Sequence, residues 1–188
     1  SEPGVRNMSD NDPAHLHPIA AQVCERLQDR VYQELGVVTE LRDTYRGPVD
    51  QAAALAGGFS KASFGKSWHN VTYKTGKPAS FAFHLHPKLP AKRLLGLGDS
   101  AMHPPGASTV PMRLHKRCST PEDFAAPALL YTAIGLLAES MGLVWGGRWH
   151  DPMDWAHLEY HPGGATLAQV QAVMQEQGDI PPSGGLTA

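Results

Sequence analysis

The most informative stretch of this chain is WGGRWHDPMDWAHLEYH, residues 145–161. It holds three histidines, three acidic residues and three of the four tryptophans. Asp154 and His157 are three residues apart, a spacing that suits a general base beside a metal ligand. Taken alone, the stretch fits a polar surface loop or an amphipathic strand equally well. The rest of the sequence has to decide between metal chemistry and a structural role.

Length and composition limit the classes of protein. The chain has 188 residues, enough for one domain with its own core. It is 41% hydrophobic and 18% charged, as ordinary globular proteins are. The net charge is -2 and there is no basic block, so we expect no nucleic-acid partner. No apolar run reaches the roughly 18 residues of a membrane span, so we expect no membrane insertion. We expect a monomer.

The cysteines and the chain ends carry little functional signal. Cys24 and Cys118 lack the CxxC spacing of zinc ribbons and redox motifs, and two buried thiols are favoured over a disulfide. The N-terminus has no apolar signal-peptide core, and Met8 resembles a native start, so residues 1–7 are interpreted as an expression remnant. We expect residues 1–16 to be a flexible arm and residues 179–188 a loose tail.

Apolar periodicity and capping residues predict four helices. Two of them begin at a proline and end before glycine, and the other two begin after a capping threonine, Thr120 or Thr166. The predicted ranges are 18–35, 48–56, 120–141 and 167–177. The third has the widest apolar face and is expected to be the central core helix.

Two strands are predicted, VVTEL at 37–41 and FAFHLH at 81–86. In the second, alternation places Phe81, Phe83 and Leu85 on one face and Ala82, His84 and His86 on the other. The residues between 59 and 80 read as loop. The stretch 87–118, rich in proline and glycine, is either an insertion or a loop that shapes a substrate site.

Histidines also occur in KSWHN, residues 66–70, and in the FAFHLH strand. A histidine-bearing segment of either kind is more often structural when it stands alone. Together with the Asp-x-x-His of residues 154–157, however, they form the layout of zinc hydrolases. Such enzymes use three protein ligands, one open position for water and a nearby carboxylate.

Three blocks of the chain resemble the zinc peptidases of peptidoglycan. These are the D-alanyl-D-alanine carboxypeptidases and dipeptidases, and the phage L-alanyl-D-glutamate endopeptidases (endolysins). TYRGPVDQAAALAGGFSKASFGKSWHN, residues 44–70, is similar to the family's Tyr-Arg, Gln on a helix, and Ser-x-His-Asn. GLVWGGRWHDPMDWAHLEY, residues 142–160, is similar to its Trp-Gly-Gly block and Asp-x-x-His-x-Glu, and residues 131–143 resemble the preceding helix. The similarity covers residues 18–70 and 124–178.

The resemblance implies an α+β fold of the D-Ala-D-Ala metallopeptidase or hedgehog-like type. A small, mostly antiparallel sheet would carry the zinc site and pack against helices. A single zinc peptidase domain is then expected over residues 17–178.

The resemblance also implies roles for individual residues. His69 and His157 match zinc ligands, Asp154 matches the catalytic base, and Arg46 matches the arginine that steadies the substrate and the developing oxyanion. Three more positions are implied to bind substrate or to support the site from behind the ligands: Gln51, Ser67 and Glu159.

The chain departs from the family at one ligand. The family places an aspartate ligand seven residues after the first histidine, but position 76 is glycine and no acid lies between His69 and Asp99. His84 is the best substitute and would give a three-histidine site, which binds zinc well. His86 is the second choice. Without a third ligand, the protein would be a non-catalytic zinc-stabilised cell-wall binding protein.

These features predict an enzyme with one Zn²⁺ per chain that cuts peptide bonds in peptidoglycan stem peptides. An L-alanyl-D-glutamate endopeptidase acting as a phage lysin is favoured, with muropeptides as its partners. It would be made in the cytoplasm and act on the cell wall after release. A D,D-carboxypeptidase or dipeptidase, and a secreted cell-wall toxin, are the alternatives.

Overall fold

The fold is that of a computed structural model, which describes residues 10–88, 121–150 and 153–181, and only the backbone of residues 121–128. Four α-helices and four β-strands lie within these ranges. The helices are α1 (Pro18–Leu35), α2 (Pro48–Ala56), α3 (Pro121–Ser140) and α4 (Leu167–Glu176). The strands are β1 (Thr39–Arg42), β2 (Ala82–Pro87), β3 (Val144–Trp145) and β4 (His157–Glu159).

The strands form one antiparallel sheet in the order β1-β2-β4-β3. β2 and β4 are therefore the central strands. The register pairs Arg42 with His84 across β1 and β2, and His84 with His157 across β2 and β4. Two histidines that are 73 residues apart in sequence thus become direct neighbours on the sheet. The expected α+β class with a small antiparallel sheet is confirmed.

Local signals fix the ends of α1. His17 caps it, because its Nδ1 accepts the Ile19 N–H at 3.2 Å, and Pro18 fills the first turn. The helix ends at Gly36, whose φ of 65° lies in the left-handed region that glycine adopts without strain. The predicted bounds of this helix are confirmed. Its buried residues form one stripe: Ala20, Val23, Cys24, Leu27 and Val31.

The alternation of β2 sorts its side chains as predicted. Phe81, just before the strand, and Phe83 and Leu85 within it are fully buried in a core shared with α1, α3 and α4. The opposite face carries His84 and His86, which are also buried. Burying a polar ring without a partner is costly, so this face needs polar partners.

Some predictions differ from the structure. β1 begins at Thr39 and not at Val37, because pairing with β2 starts at Thr39, opposite Pro87. Val37 is buried in the core. Residues 10–16 are not a loose arm, since Leu16 is buried and bridges to Ser80. The chain is also packed at residues 179–181, where Ile180 joins the core.

Other predictions fall partly or wholly beyond the described residues. These include the capping role of Thr120 and nearly all of the 87–118 stretch. Cys24 is a free, buried thiol, while Cys118 lies in the part not described. Among the described helices, none combines the length and apolar character needed to cross a membrane.

Candidate metal centre

Three buried histidines converge on one point of the sheet. The Nε2 of His84 lies 3.0 Å from the Nδ1 of His157, and the Nε2 of His69 lies 3.3 Å from that same Nδ1. One ring nitrogen from each residue falls within 4.8 Å of the other two. The structure thus brings together the three residues that the sequence predicts as zinc ligands.

Two kinds of local structure place these rings. His84 and His157 face each other across the paired central strands. His69 comes from a short 3-10 turn at Trp68–Asn70, capped by Ser67, whose Oγ accepts the His69 N–H at 3.3 Å. Ser67 therefore helps to position a ligand, and it also lines the adjoining cleft.

The second ring nitrogen of each histidine lies close to an oxygen atom, and those of His69 and His157 make a hydrogen bond to it. His69 Nδ1 donates to the Thr44 carbonyl at 2.8 Å, and His157 Nε2 donates to Glu159 Oε1 at 2.8 Å. His84 Nδ1 lies 2.9 Å from Asp43 Oδ2, an ion-pair distance without the geometry of a hydrogen bond. An acceptor on one nitrogen draws the ring proton there and leaves a lone pair on the other.

With the ring protons on these second nitrogens, the lone pairs of His69 Nε2 and His84 Nε2 face that of His157 Nδ1 at 3.3 and 3.0 Å. Neutral imidazoles arranged in this way repel, because no donor lies between them. The arrangement attracts a cation, either a proton or a metal ion. A tetrahedral zinc ion with Zn–N distances of about 2.0–2.1 Å separates its nitrogen ligands by about 3.3–3.4 Å. The separations of 3.3 and 3.0 Å from His157 Nδ1 are close to this spacing.

The charges around the three histidine rings also favour a bound cation. Burial, with the positive charge of Arg46 and the neighbouring rings, lowers the pKa of His69 well below its ordinary value, so this ring is neutral and ready to bind a metal. Burial also acts to lower the pKa of His84, but the carboxylates of Asp154 and Asp43 outweigh it and raise that pKa. His84 thus lies where negative charge favours a cation.

Glu159 is the buried partner of His157. Burial acts to raise the pKa of its carboxyl, but hydrogen bonds from His157 and His161 outweigh this and lower the pKa to about 2. Each oxygen serves one histidine, since Oε2 accepts from His161 Nε2 at 2.8 Å. Glu159 therefore stays ionised and holds the His157 ring through its Oε1.

Asp154 lies beside the three rings without joining them. Its Oδ2 is 3.5 Å from His84 Nε2, yet its oxygens fall outside the set of ligand atoms that lie within 4.8 Å of one another. Its Oδ1 is buried and has no hydrogen-bond partner among the described residues. Such an oxygen is suited to accept a proton from a molecule bound at the centre.

Gly146 makes this placement of Asp154 possible. A Cβ at Gly146 would lie 2.6 Å from the Asp154 carbonyl oxygen and 3.0 Å from His157 Cβ. The Asp154 N–H also donates to the Gly146 carbonyl at 3.1 Å. Gly146, the first glycine of Trp-Gly-Gly, therefore allows the backbone of Asp154 to lie close to His157 on β4.

A cavity of about 290 Å³ opens over the three histidines. Its wall includes Arg46, Lys61, Lys66 and Trp149, with Asp154 at its base. Arg46 is half-buried, and its backbone N–H donates to the His69 carbonyl at 2.9 Å, which fixes the residue next to the ligand.

Gln51 is a framework residue and not a substrate contact. It is fully buried on α2, and its Oε1 accepts from Asn70 Nδ2 at 3.1 Å. The same Asn70 amide donates to the Arg46 carbonyl at 2.8 Å. Gln51 therefore ties α2 to the two segments that carry His69 and Arg46.

His86, the second choice for the third ligand, does not join His69 and His157. Its Nδ1 hydrogen-bonds with the Tyr131 hydroxyl at 3.0 Å, and burial lowers its pKa to about 4. It falls in a second possible group with Asp43 and His84. The two groups share His84.

Asp43 and Thr44 were missed from the sequence. Thr44 acts through a backbone carbonyl, which leaves no trace in residue type. Asp43 immediately follows β1, which ends at Arg42, and its position next to His84 depends on the β1–β2 register. The one sequence signal for these two residues is their position directly before the Tyr-Arg motif at Tyr45 and Arg46.

Comparison with known proteins adds no assignment. No model of a known protein family matches this sequence, and no curated protein matches it. Function is therefore inferred from the geometry of the site and from the motifs that predicted it.

Proposed function

We propose that this protein is a zinc-dependent peptidase that cuts peptide bonds in peptidoglycan stem peptides. The observation that carries the proposal is the meeting of three imidazole nitrogens beside a buried carboxylate. His69, His84 and His157 would hold the ion. Three protein ligands leave a fourth tetrahedral position open, as catalytic zinc sites do.

A bound zinc ion would supply Lewis acidity, polarising the scissile carbonyl and lowering the pKa of water from about 15.7 to about 7. Asp154 would then act as the general base. Its unpartnered Oδ1 accepts the proton of the attacking water and passes it to the leaving amine. Asp154 lines the cavity, which gives a substrate access to this side chain.

Arg46 would stabilise the negative charge that develops on the carbonyl oxygen. It lines the cavity, and its charge is close enough to lower the pKa of both His69 and Asp43. A fixed positive charge in a half-buried site stabilises a transition-state oxyanion without reorganisation.

The character of the cavity wall supports an acidic peptide substrate. Arg46, Lys61 and Lys66 place positive charge around the opening, and Trp149 gives an aromatic wall over His157 at a ring-centroid distance of 4.8 Å. Stem peptides of peptidoglycan carry free carboxylates. The motifs favour the L-alanyl-D-glutamate bond as the one that is cut.

The direct test is muropeptide digestion by zinc-loaded wild type and by Asp154→Asn. We expect new amino termini with wild type, at least 100-fold slower release with the variant, and an unchanged zinc content. Asp29→Asn, an exposed position on α1, is the control for loss of one charge. The residues at the new termini identify the bond. Zinc binding without any cleavage would favour a non-catalytic binding protein.

A further inference from the structure

Asp43 makes the only described side-chain contact to the far nitrogen of His84. Its Oδ2 lies 2.9 Å from His84 Nδ1, and its side chain is only 15% exposed. A negative charge at this distance favours a proton on Nδ1, which leaves the lone pair of His84 on Nε2, and Nε2 lies 3.0 Å from His157 Nδ1.

The backbone at Asp43 is unusual. Its φ is 49°, the only positive value among the described non-glycine residues. Aspartate tolerates this left-handed conformation better than most residues, but it still costs energy. The turn directs the Asp43 carboxylate to His84 and brings the next carbonyl, that of Thr44, to His69 Nδ1 at 2.8 Å. One dipeptide therefore supports two ligands.

The N-terminal segment holds this dipeptide in place. Asn11 Oδ1 accepts the Asp43 N–H at 3.1 Å. The Asp10 carbonyl accepts both the N–H of Thr44 at 2.6 Å and its hydroxyl at 3.0 Å. The strained turn is thus fixed by three hydrogen bonds from residues that the sequence predicts to be a loose arm.

Asp43 has a second possible role, because its carboxylate also falls in a group with His84 and His86 that could hold an ion. Two facts disfavour that role. A metal there would have to displace the proton of His84 Nδ1 while Nε2 serves the first centre. The positive charge of Arg42 also acts on His86, which belongs to this group alone.

We propose that Asp43 is a positioning residue that orients His84 for metal binding and is itself held by Asp10 and Asn11. The inference rests on the proposed zinc site. It does not depend on which bond, if any, the enzyme cuts.

Asp43→Gly and Asp43→Asn test it on the full chain. Glycine accepts a φ of 49° without strain and removes the carboxylate. Asparagine keeps the shape and an acceptor oxygen but removes the charge. Three quantities are measured for each protein: zinc Kd by competition with a chromogenic chelator, Tm of the metal-free form, and the visible spectrum of the Co²⁺ form. Asp29→Asn is the charge control.

We expect zinc Kd to rise about 10- to 100-fold in Asp43→Gly and by less in Asp43→Asn, as for other residues behind metal ligands. Metal-free Tm should not fall in Asp43→Gly, and its Co²⁺ spectrum should change. A merely structural role would lower Tm and leave Kd and spectrum as in wild type.

Unchanged zinc Kd in Asp43→Gly would overturn the inference. So would two ions per wild-type chain that fall to one in His86→Ala, because Asp43 would then be a ligand. A wild type that binds no zinc would overturn both proposals. Weakened zinc binding in a protein that cleaves no muropeptide would keep the role of Asp43 and overturn the peptidase.

Discussion

His84 and His157 lie directly opposite each other on the two central strands, with ring nitrogens 3.0 Å apart. Directly paired residues of antiparallel strands have Cβ atoms about 4.5–5.5 Å apart, which lets two imidazoles meet without any loop. Only the third ring, His69, comes from a turn. The backbone hydrogen bonds of the sheet therefore preorganise most of the centre before any ion binds.

Zinc should stabilise the folded protein, because the three histidines come together only in the native state. At a free zinc concentration of 100 times Kd, the stabilisation is about 2.7 kcal/mol. Thermal unfolding with zinc and with a chelator measures it. His69→Ala should show no zinc-dependent rise in Tm, and an equal rise in that variant would place the ion elsewhere.

Glu159→Gln should weaken zinc binding about 10-fold or more. The Glu159 carboxylate accepts from His157 Nε2 and makes that ring a better ligand, and the amide carries no charge. Zinc Kd by chelator competition measures the change. Glu176→Gln, exposed on α4, is the matched control. Equal affinities in the two variants would count against a supporting role for Glu159.

Gly146→Ala should reduce activity much more than it reduces zinc content. The new methyl would overlap the Asp154 carbonyl oxygen and displace the proposed base. A shift of about 1 Å at a reacting group can cost about 100-fold in rate. Comparing kcat/KM with zinc stoichiometry checks this. Gly47→Ala, with its nearest neighbour 3.7 Å from the new carbon, should be close to wild type.

The thiol of Cys24 should resist alkylation in the native state. Burial, with the charge of Glu25, raises its pKa to about 12, so at pH 8 only about one thiol in 10,000 is the reactive thiolate. Iodoacetamide labelling of a Cys118→Ser variant measures this with and without denaturant. Rapid native labelling would contradict the buried position of Cys24.

Much of the fold and site follows from local patterns in the sequence. Helical periodicity located α1 with correct bounds, and strand alternation placed His84 and His86 on the face opposite Phe83. The choice of His84 as the substitute ligand agrees with its position against His157. These features depend on residue type and spacing, which the sequence displays directly.

The supporting residues could not be predicted in this way. The contact of Asp43 with His84 depends on the register of β1 against β2, and Thr44 contributes a backbone carbonyl. The packing of residues 10–16 could not be predicted either. This polar segment has no periodicity, and hydrogen bonds from Asp43 and Thr44 to Asp10 and Asn11 hold it in place. Tertiary contacts, and not propensity, decide these positions.

The most direct test of the three-histidine zinc centre is metal content by elemental analysis. It compares wild type, His69→Ala, His84→Ala and His157→Ala, with His86→Ala as the matched control. Muropeptide digestion is run on the same samples. We expect about one zinc per chain in wild type and in His86→Ala, and loss of both zinc and cleavage in the other three. Zinc retained in His84→Ala, or lost in His86→Ala, would contradict the three-histidine centre.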